Sequence, residues 1–149
     1  GINTAIETTA FAEREVVERL VPHIDYVLMD VKHMDSNKHE AWTGRPNEKI
    51  LDNAQWIAAN ASSLTIRVPV IPGFNDTPEE IMAIARFADS LPNVHNLHLL
   101  PYHRLGMDKY AGLGRAYTLP DIVPPKADHM NQLKAAATAV SHLQVQIGG

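Results

Sequence analysis

Strand-like and helix-like segments alternate along this chain of 149 residues, and that alternation constrains the fold more than any other feature. The segment Tyr26–Val31 (YVLMDV) is a continuous apolar run with one carboxylate near its end, which is typical of a strand buried on both faces. Other main strands are predicted at Ile2–Glu7, Leu64–Ile71 and Val94–Leu100, with a last short strand at Leu143–Ile147. Strands separated by helices of about 10 to 15 residues favour βαβ units, so the sequence predicts an α/β fold with a parallel sheet.

The segments between the strands carry helix periodicity and helix start signals. Helices are predicted at Ala12–Val21, at 48–61, from Pro78 to about Leu91, and at Lys126–His142. Asn47 is predicted to cap the second of these helices. Thr77 is predicted to cap the third, because Pro78 and Glu80 follow at the positions that a helix start favours.

Composition sets outer limits on the fold and the function. With 45% hydrophobic residues the chain can bury one core, so a single domain over 1–149 is expected. Seventeen acidic against thirteen basic residues give a net charge of −4, which argues against nucleic acid as the partner. There is no cysteine, and therefore no disulfide or thiolate metal site. Neither a membrane-length apolar run nor a signal-peptide pattern is present, so a cytoplasmic location is expected.

Charged and polar side chains mark the carboxyl ends of the predicted strands: Glu7, Thr8, Asp30, Lys32, Arg67 and His103. In a parallel sheet these ends share one edge, where ligands bind. Two carboxylates with a lysine and an arginine suit a zwitterionic or anionic small molecule. They equally suit a structural ion-pair network, because neither Asp30 nor Arg67 is tolerated in a buried strand without a partner. His103, taken alone, is more often a structural histidine than a functional one.

Several segments, in their order and spacing, resemble one enzyme family over the whole chain. They are IETTAF, YVLMDVKHMD, HEAWTGRPNEKILDN, IRVPVIPGFNDTPEEI and, at 99–117, LLPYHRLGMDKYAGLGRAY. Together they resemble the glycyl radical enzyme activating enzymes, the pyruvate formate-lyase activating enzyme family of the radical S-adenosylmethionine superfamily. The resemblance implies the last four strands of a six-stranded partial (β/α) barrel with parallel strands. It also implies that the family's Cys-x-x-x-Cys-x-x-Cys loop and glycine-glycine-glutamate strand precede the matched portion and are not in this sequence.

The resemblance assigns roles to particular residues. Asp30, Lys32, Arg67 and His103 match positions that contact S-adenosylmethionine, and Glu7, Thr8 and Asp30 match a monovalent cation site. None of these residues is the redox centre, which in the family is a [4Fe–4S] cluster that this chain does not ligate. The family cleaves adenosylmethionine to a 5′-deoxyadenosyl radical, which takes hydrogen from a glycine of the partner, a glycyl radical enzyme such as pyruvate formate-lyase. The expectation is therefore a C-terminal fragment that supplies part of the adenosylmethionine pocket and is inactive alone.

Two other functions are compatible with the residues. Lys32 stands at a strand end, as the Schiff-base lysines of aldolase-like α/β enzymes do, although no other residue indicates a desolvated amine. The chain could instead be a non-catalytic ligand-binding or interaction module. Borohydride trapping tests the first alternative, and iron content after reconstitution tests the second.

Overall fold

A computed structural model describes residues 1–103 and 122–149 and places five strands in one sheet. The strands are β1 (Ala5–Thr8), β2 (Tyr26–Asp30), β3 (Leu64–Val70), β4 (Val94–Pro101) and β5 (Gln144–Ile147). Their spatial order follows their order along the chain, and every neighbouring pair is parallel. The predicted α/β fold with a parallel sheet is confirmed. The short last strand pairs with β4 and joins the same sheet, which therefore has five strands.

Five α-helices connect or follow the strands in the described ranges. They are α1 (Arg14–Leu20), which continues into a 3₁₀ turn at Val21–His23, then α2 (Ser36–Thr43), α3 (Glu48–Asn60), α4 (Pro78–Ser90) and α5 (Ala127–Thr138). The predicted N-cap at Thr77 is confirmed, since its side chain accepts a hydrogen bond from the Glu80 N–H. Helix α5 ends four residues before the predicted end at His142.

Two local features differ from the sequence predictions. Helix α2 was not predicted, because its sequence SNKHEAWT lacks an apolar stripe and buries only His39. It is set by its ends: Asp35 caps the Lys38 N–H at 3.0 Å, and Gly44 adopts the left-handed conformation that stops the helix. The prediction that Asn47 is the N-cap of α3 is confirmed for its position, but its side chain makes no capping hydrogen bond, because it is buried and donates to two backbone carbonyls instead.

The sheet has one apolar face and one polar face. Strand side chains that are almost wholly buried, among them Met29, Ile66 and Leu97, join helix residues such as Ile57 and Ile84 in one core cluster. Because side chains alternate along a strand, the other face carries a different set. Its polar members are Glu7, Asp30, Thr65, Arg67, Asn96, His98, Gln144 and Gln146, and we call it the polar face.

Within the part of the chain that the structure describes, no helix combines the length and apolar character needed to cross a bilayer.

Candidate functional site

The Arg67 guanidinium is the centre of a charged cluster on the polar face. Arg67 on β3 is in register with Asp30 on β2, and its Nε and Nη2 atoms each lie 3.1 Å from Asp30 Oδ1. Its Nη1 atom lies 2.8 Å from Oε1 of Glu7 on β1. One arginine therefore links three neighbouring strands through two carboxylates. This geometry satisfies the requirement that a charge within the sheet have a partner.

Lys32 completes the cluster from the segment that follows β2. Its Nζ atom lies 3.1 Å from Asp30 Oδ2, so each oxygen of Asp30 faces a different cation. The side chains of Asp30, Lys32 and Arg67 are 18%, 22% and 13% exposed, whereas that of Glu7 is 67% exposed. Two positive and two negative groups leave the cluster with no net formal charge. Such an arrangement suits a zwitterion, which brings its own cation and carboxylate.

The cluster controls the protonation of its outer member. The hydrogen bond from Arg67, together with its positive charge, lowers the pKa of the Glu7 carboxyl below its ordinary value. The same bond raises the pKa of Arg67, and the charge of Asp30 adds to this effect against the opposing influence of burial. Both groups are therefore charged at neutral pH.

His98 extends the polar face away from the carboxylates. It is in register with Arg67 on one side and with Gln146 on the other, whose Nε2 atom lies 3.4 Å from His98 Nδ1. Burial, and then the positive charge of Arg67, lower the pKa of His98 below its ordinary value of 6.5. His98 is therefore a neutral imidazole at pH 7. Sequence analysis did not single it out, because its register with Arg67 depends on how β3 and β4 pair.

Thr8 and His103 stand apart from the charged cluster. The Thr8 hydroxyl accepts a hydrogen bond from the Ala10 N–H at 2.9 Å and lies on the face opposite Glu7. His103 is exposed and follows β4 by two residues, which places it at the sheet edge where Lys32 lies. The motif residues 104–117 lie outside the described residues. Among the described residues, no group of three or more histidine, aspartate or glutamate side chains is arranged to hold a metal ion.

Buried asparagines hold the loops that carry the cluster. Asn53 is 1% exposed and donates to the carbonyls of Ala10 and Ala12, after β1. Asn47 donates to the carbonyls of His33 and Met34, after β2, at 2.8 and 3.0 Å. Sequence analysis did not assign this role, because the local sequence does not distinguish a buried asparagine within α3 or at its N-cap from an exposed one. The loop geometry of the site thus depends on residues that touch none of its charges.

A cavity of about 250 Å³ opens beside Lys32. It is lined by Thr9, Phe11, Lys32, His39, Thr43, Arg45 and Ile50. A larger concavity of about 730 Å³ lies along α1 and the 3₁₀ turn that precedes β2, at the amino ends of the strands. Of these two cavities, only the one beside Lys32 lies at the carboxyl ends of the strands, where ligands of parallel α/β folds bind, and Lys32 is the member of the charged cluster that lines it.

No model of a known protein family matches the chain. Comparison with solved structures identifies the fold, since SuiB of Streptococcus suis, solved with bound S-adenosylmethionine, matches 99% of this chain and 33% of its own. That match has a TM-score of 0.71 at 16% identity. A domain of pyruvate-formate lyase-activating enzyme from Bacteroides vulgatus matches with a TM-score of 0.80 at 30% identity, covering 100% of this chain and 83% of that domain. The chain shares this fold with a radical S-adenosylmethionine methyltransferase from Sphaerobacter thermophilus, which matches 96% of this chain and 40% of its own with a TM-score of 0.69 at 13% identity.

Curated relatives narrow the class further. The isethionate sulfite-lyase activating enzyme of Desulfovibrio desulfuricans is 47% identical over 128 residues, which are 85% of this chain and 41% of that protein. The pyruvate formate-lyase-activating enzyme of Staphylococcus aureus is 35% identical over 131 residues, 84% of this chain and 52% of that protein. The chain belongs to the family of glycyl radical enzyme activating enzymes. It spans about half the length, or less, of these curated relatives.

Proposed function

We propose that this chain supplies the carboxyl-terminal half of the S-adenosylmethionine pocket in a protein that installs a glycyl radical on a partner enzyme. The observation that carries the proposal is the position of Asp30 between Lys32 and Arg67 at the carboxyl edge of the sheet. This charge-neutral cluster lies on the polar face of a chain that belongs to the activating-enzyme family. Family membership thus supports a ligand role for the cluster in addition to its structural ion pairs.

The charges of the cluster match the chemistry of the proposed ligand. The Lys32 ammonium binds the carboxylate of the methionine moiety, as a charge-assisted hydrogen bond. Asp30 and Glu7 present negative charge to the ammonium and sulfonium groups, and Arg67 holds both carboxylates in place. His103 at the end of β4 contacts the adenosyl portion. Adenosylmethionine held by these residues would supply the radical chemistry that the resemblance to the activating enzymes implies.

The two inorganic groups of the family fit this chain differently. A monovalent cation suits the oxygens of Glu7 and Asp30, although it must share both carboxylates with Arg67, and the Thr8 hydroxyl is bonded to Ala10. An iron–sulfur cluster does not fit, because the chain contains no cysteine thiolate. The iron–sulfur cluster must therefore be held by polypeptide other than residues 1–149.

The alternative functions draw less support from the site. The Lys32 Nζ atom is held in a 3.1 Å ion pair with Asp30, whereas the nitrogen of a Schiff-base lysine must be available to attack a carbonyl carbon. Failure of borohydride to trap a carbonyl compound on Lys32 is the expected result. A purely non-catalytic module would keep the charged cluster but would not support radical formation in an otherwise complete enzyme.

A chimera with a complete relative tests the proposal. The 131 residues of the Staphylococcus aureus pyruvate formate-lyase-activating enzyme that align with this chain are replaced by the chain itself. After anaerobic reconstitution, the absorbance of the iron–sulfur cluster reports folding of the chimera, and the formation of 5′-deoxyadenosine reports cleavage of adenosylmethionine. We expect both signals, and a glycyl radical on pyruvate formate-lyase by electron paramagnetic resonance.

The matched variants of the chimera are Lys32→Ala and Lys38→Ala. Lys38 is exposed on α2 and lies outside the cluster, so its variant should retain cleavage. Lys32→Ala should keep the iron–sulfur absorbance and lose 5′-deoxyadenosine formation. A chimera that holds its iron–sulfur cluster but cleaves no adenosylmethionine would contradict the proposal.

A further inference from the structure

Asn75 is completely buried and uses all of its side-chain amide. Its Nδ2 atom donates to the Lys32 carbonyl at 2.7 Å and to the Pro69 carbonyl at 2.9 Å, and its Oδ1 atom accepts from the Ile71 N–H at 2.7 Å. The two carbonyls lie at the ends of different strands, since Lys32 follows β2 and Pro69 lies near the end of β3. One side chain therefore joins the two segments that carry the cations of the charged cluster.

Backbone pairing cannot make this connection by itself. The Val31 N–H donates to the Arg67 carbonyl at 2.9 Å, and the register of β2 with β3 ends at the Asp30–Arg67 pair. The next ladder donor from β3 would be residue 69, but proline has no N–H. The strand ladder therefore stops at this point, and the Asn75 amide takes over the connection by donating to the Lys32 carbonyl and to the Pro69 carbonyl.

The loop that presents Asn75 is itself closely defined. The Asn75 N–H donates back to the Ile71 carbonyl at 3.3 Å, while Gly73 adopts a left-handed φ of 81° within the turn. The Gly73 N–H donates to Asp76 Oδ1 at 2.8 Å, and Thr77 then caps α4. The Asn75 amide is therefore fixed at both ends of its own turn, and it transmits that order to the main chain of Lys32.

We propose that Asn75 is a positioning residue of the ligand site. By holding the Lys32 and Pro69 carbonyls against one rigid amide, it fixes the separation of the Lys32 and Arg67 side chains across Asp30. It touches neither the charges nor the ligand. This inference rests on the proposed function, because it assigns the Lys32 ammonium to the ligand's carboxylate.

The test compares Asn75→Leu with Asn53→Leu in the 149-residue chain. Asn53 is an equally buried amide that also donates to two backbone carbonyls, but it holds the loop after β1. Each variant removes two hydrogen bonds to backbone carbonyls, so both should lower the urea midpoint. Only Asn75→Leu should speed solvent exchange of the Arg67 Nε–H, by about tenfold, in the ligand-free protein measured by nuclear magnetic resonance.

Ligand titration gives the second readout. Adenosylmethionine is compared with decarboxylated adenosylmethionine, which keeps the sulfonium and ammonium groups and lacks only the carboxylate. Asn75→Leu should weaken adenosylmethionine binding by about tenfold and leave binding of the decarboxylated compound unchanged, because a loss of Lys32 placement affects the carboxylate alone. Unchanged Arg67 exchange in Asn75→Leu, or equal losses in Asn53→Leu, would overturn the positioning role.

Two further measurements distinguish a failure of the positioning role of Asn75 from a failure of the proposed ligand role of Lys32. If the wild-type chain binds both ligands equally, the proposed role of Lys32 fails, and the ligand-free Arg67 exchange alone decides the role of Asn75. If Asn75→Leu does not fold, Asn75→Asp keeps the acceptor for Ile71 and takes its place. In the wild type, the Ile71 amide should exchange with solvent as slowly as the amides inside β3. Fast exchange of the Ile71 amide would overturn the positioning role of Asn75.

Discussion

The Arg67 guanidinium on β3 extends past β2 to pair with the Glu7 carboxylate on β1, its Nη1 atom lying 2.8 Å from Oε1. In passing β2 it also pairs with Asp30, so one side chain connects strands that do not pair directly. The exposure of the two carboxylates differs greatly, at 67% for Glu7 and 18% for Asp30. The two pairs should therefore contribute unequally to stability, the inner one more than the outer one.

Replacing Arg67 with leucine should lower the free energy of unfolding by about 2 kcal/mol, because among the described residues Asp30 then keeps only Lys32 as an ion-pair partner in a partly buried site. Glu7→Gln should cost less than about 1 kcal/mol, since the outer carboxylate is largely hydrated. Urea unfolding of both variants measures the difference. Equal costs for the two would show that the inner pair has no special weight.

Stability should fall as the pH is lowered through and below 6.5. Burial lowers the pKa of both His33 and His98 from that ordinary value, against the raising effect of Glu80 on His33. The unfolded chain therefore binds protons that the folded chain does not, so unfolding becomes easier as pH falls toward the folded-state pKa values. The slope can reach about 1.4 kcal/mol per pH unit for each histidine.

The pH prediction is checked by urea unfolding at a series of pH values. His98→Gln should reduce the slope below pH 6.5, whereas His95→Gln, at an exposed position of the same strand, should leave it unchanged. A slope that survives the loss of His98 and of His33 would assign the pH dependence to other groups.

The isolated chain should bind no [4Fe–4S] cluster after anaerobic reconstitution, because it offers no thiolate ligand. It should also form no 5′-deoxyadenosine from adenosylmethionine under reducing conditions. Iron analysis, the visible absorption spectrum and chromatography of the products measure these outcomes. The visible spectrum of a stable [4Fe–4S] cluster would contradict the prediction, because it would mean that side chains other than cysteine hold the iron.

The isolated chain should bind adenosylmethionine no more tightly than roughly 1 mM. Charge-assisted contacts contribute about 1–3 kcal/mol each, and the cost of ordering an open site offsets much of that gain. Lys32→Ala should weaken the binding further in the same titration. Micromolar affinity that disappears in Lys32→Ala would instead mean that the charged cluster is a preformed receptor.

The sequence predicted the sheet and its charged cluster for definite physical reasons. Continuous apolar runs separated by helices indicate parallel strands, and parallel strands bring their carboxyl ends to one edge. Asp30 and Arg67 lie within such runs, so each needed a partner in the folded state, and the structure pairs them with each other. The sequence left open whether that pairing serves a ligand, because both readings require the same residues.

The remaining features depend on tertiary contacts that a local pattern does not contain. Asn47 follows the capping rule in sequence, yet the carbonyls after β2 lie close enough to take its amide. Asn75 sits in a turn, where asparagine is common, and its burial and its bonds to the Lys32 and Pro69 carbonyls are visible only in the folded structure. The pKa of His98 is lowered by burial and then by the charge of Arg67, which lies thirty-one positions earlier in the chain and opposite His98 in the sheet.

The row formed by Asp30, Arg67, His98 and Gln146 crosses four strands in register, one residue from each. Neighbouring strands lie about 4.8 Å apart, so the row spans roughly 14 Å across the sheet. Its membership depends on odd and even positions: a one-residue insertion or deletion in β3 would turn Ile66 or Val68 to the polar face and drive the guanidinium into the core. Length changes in these strands are therefore compatible with the site only in steps of two residues, whereas the loops that follow them are free of that parity.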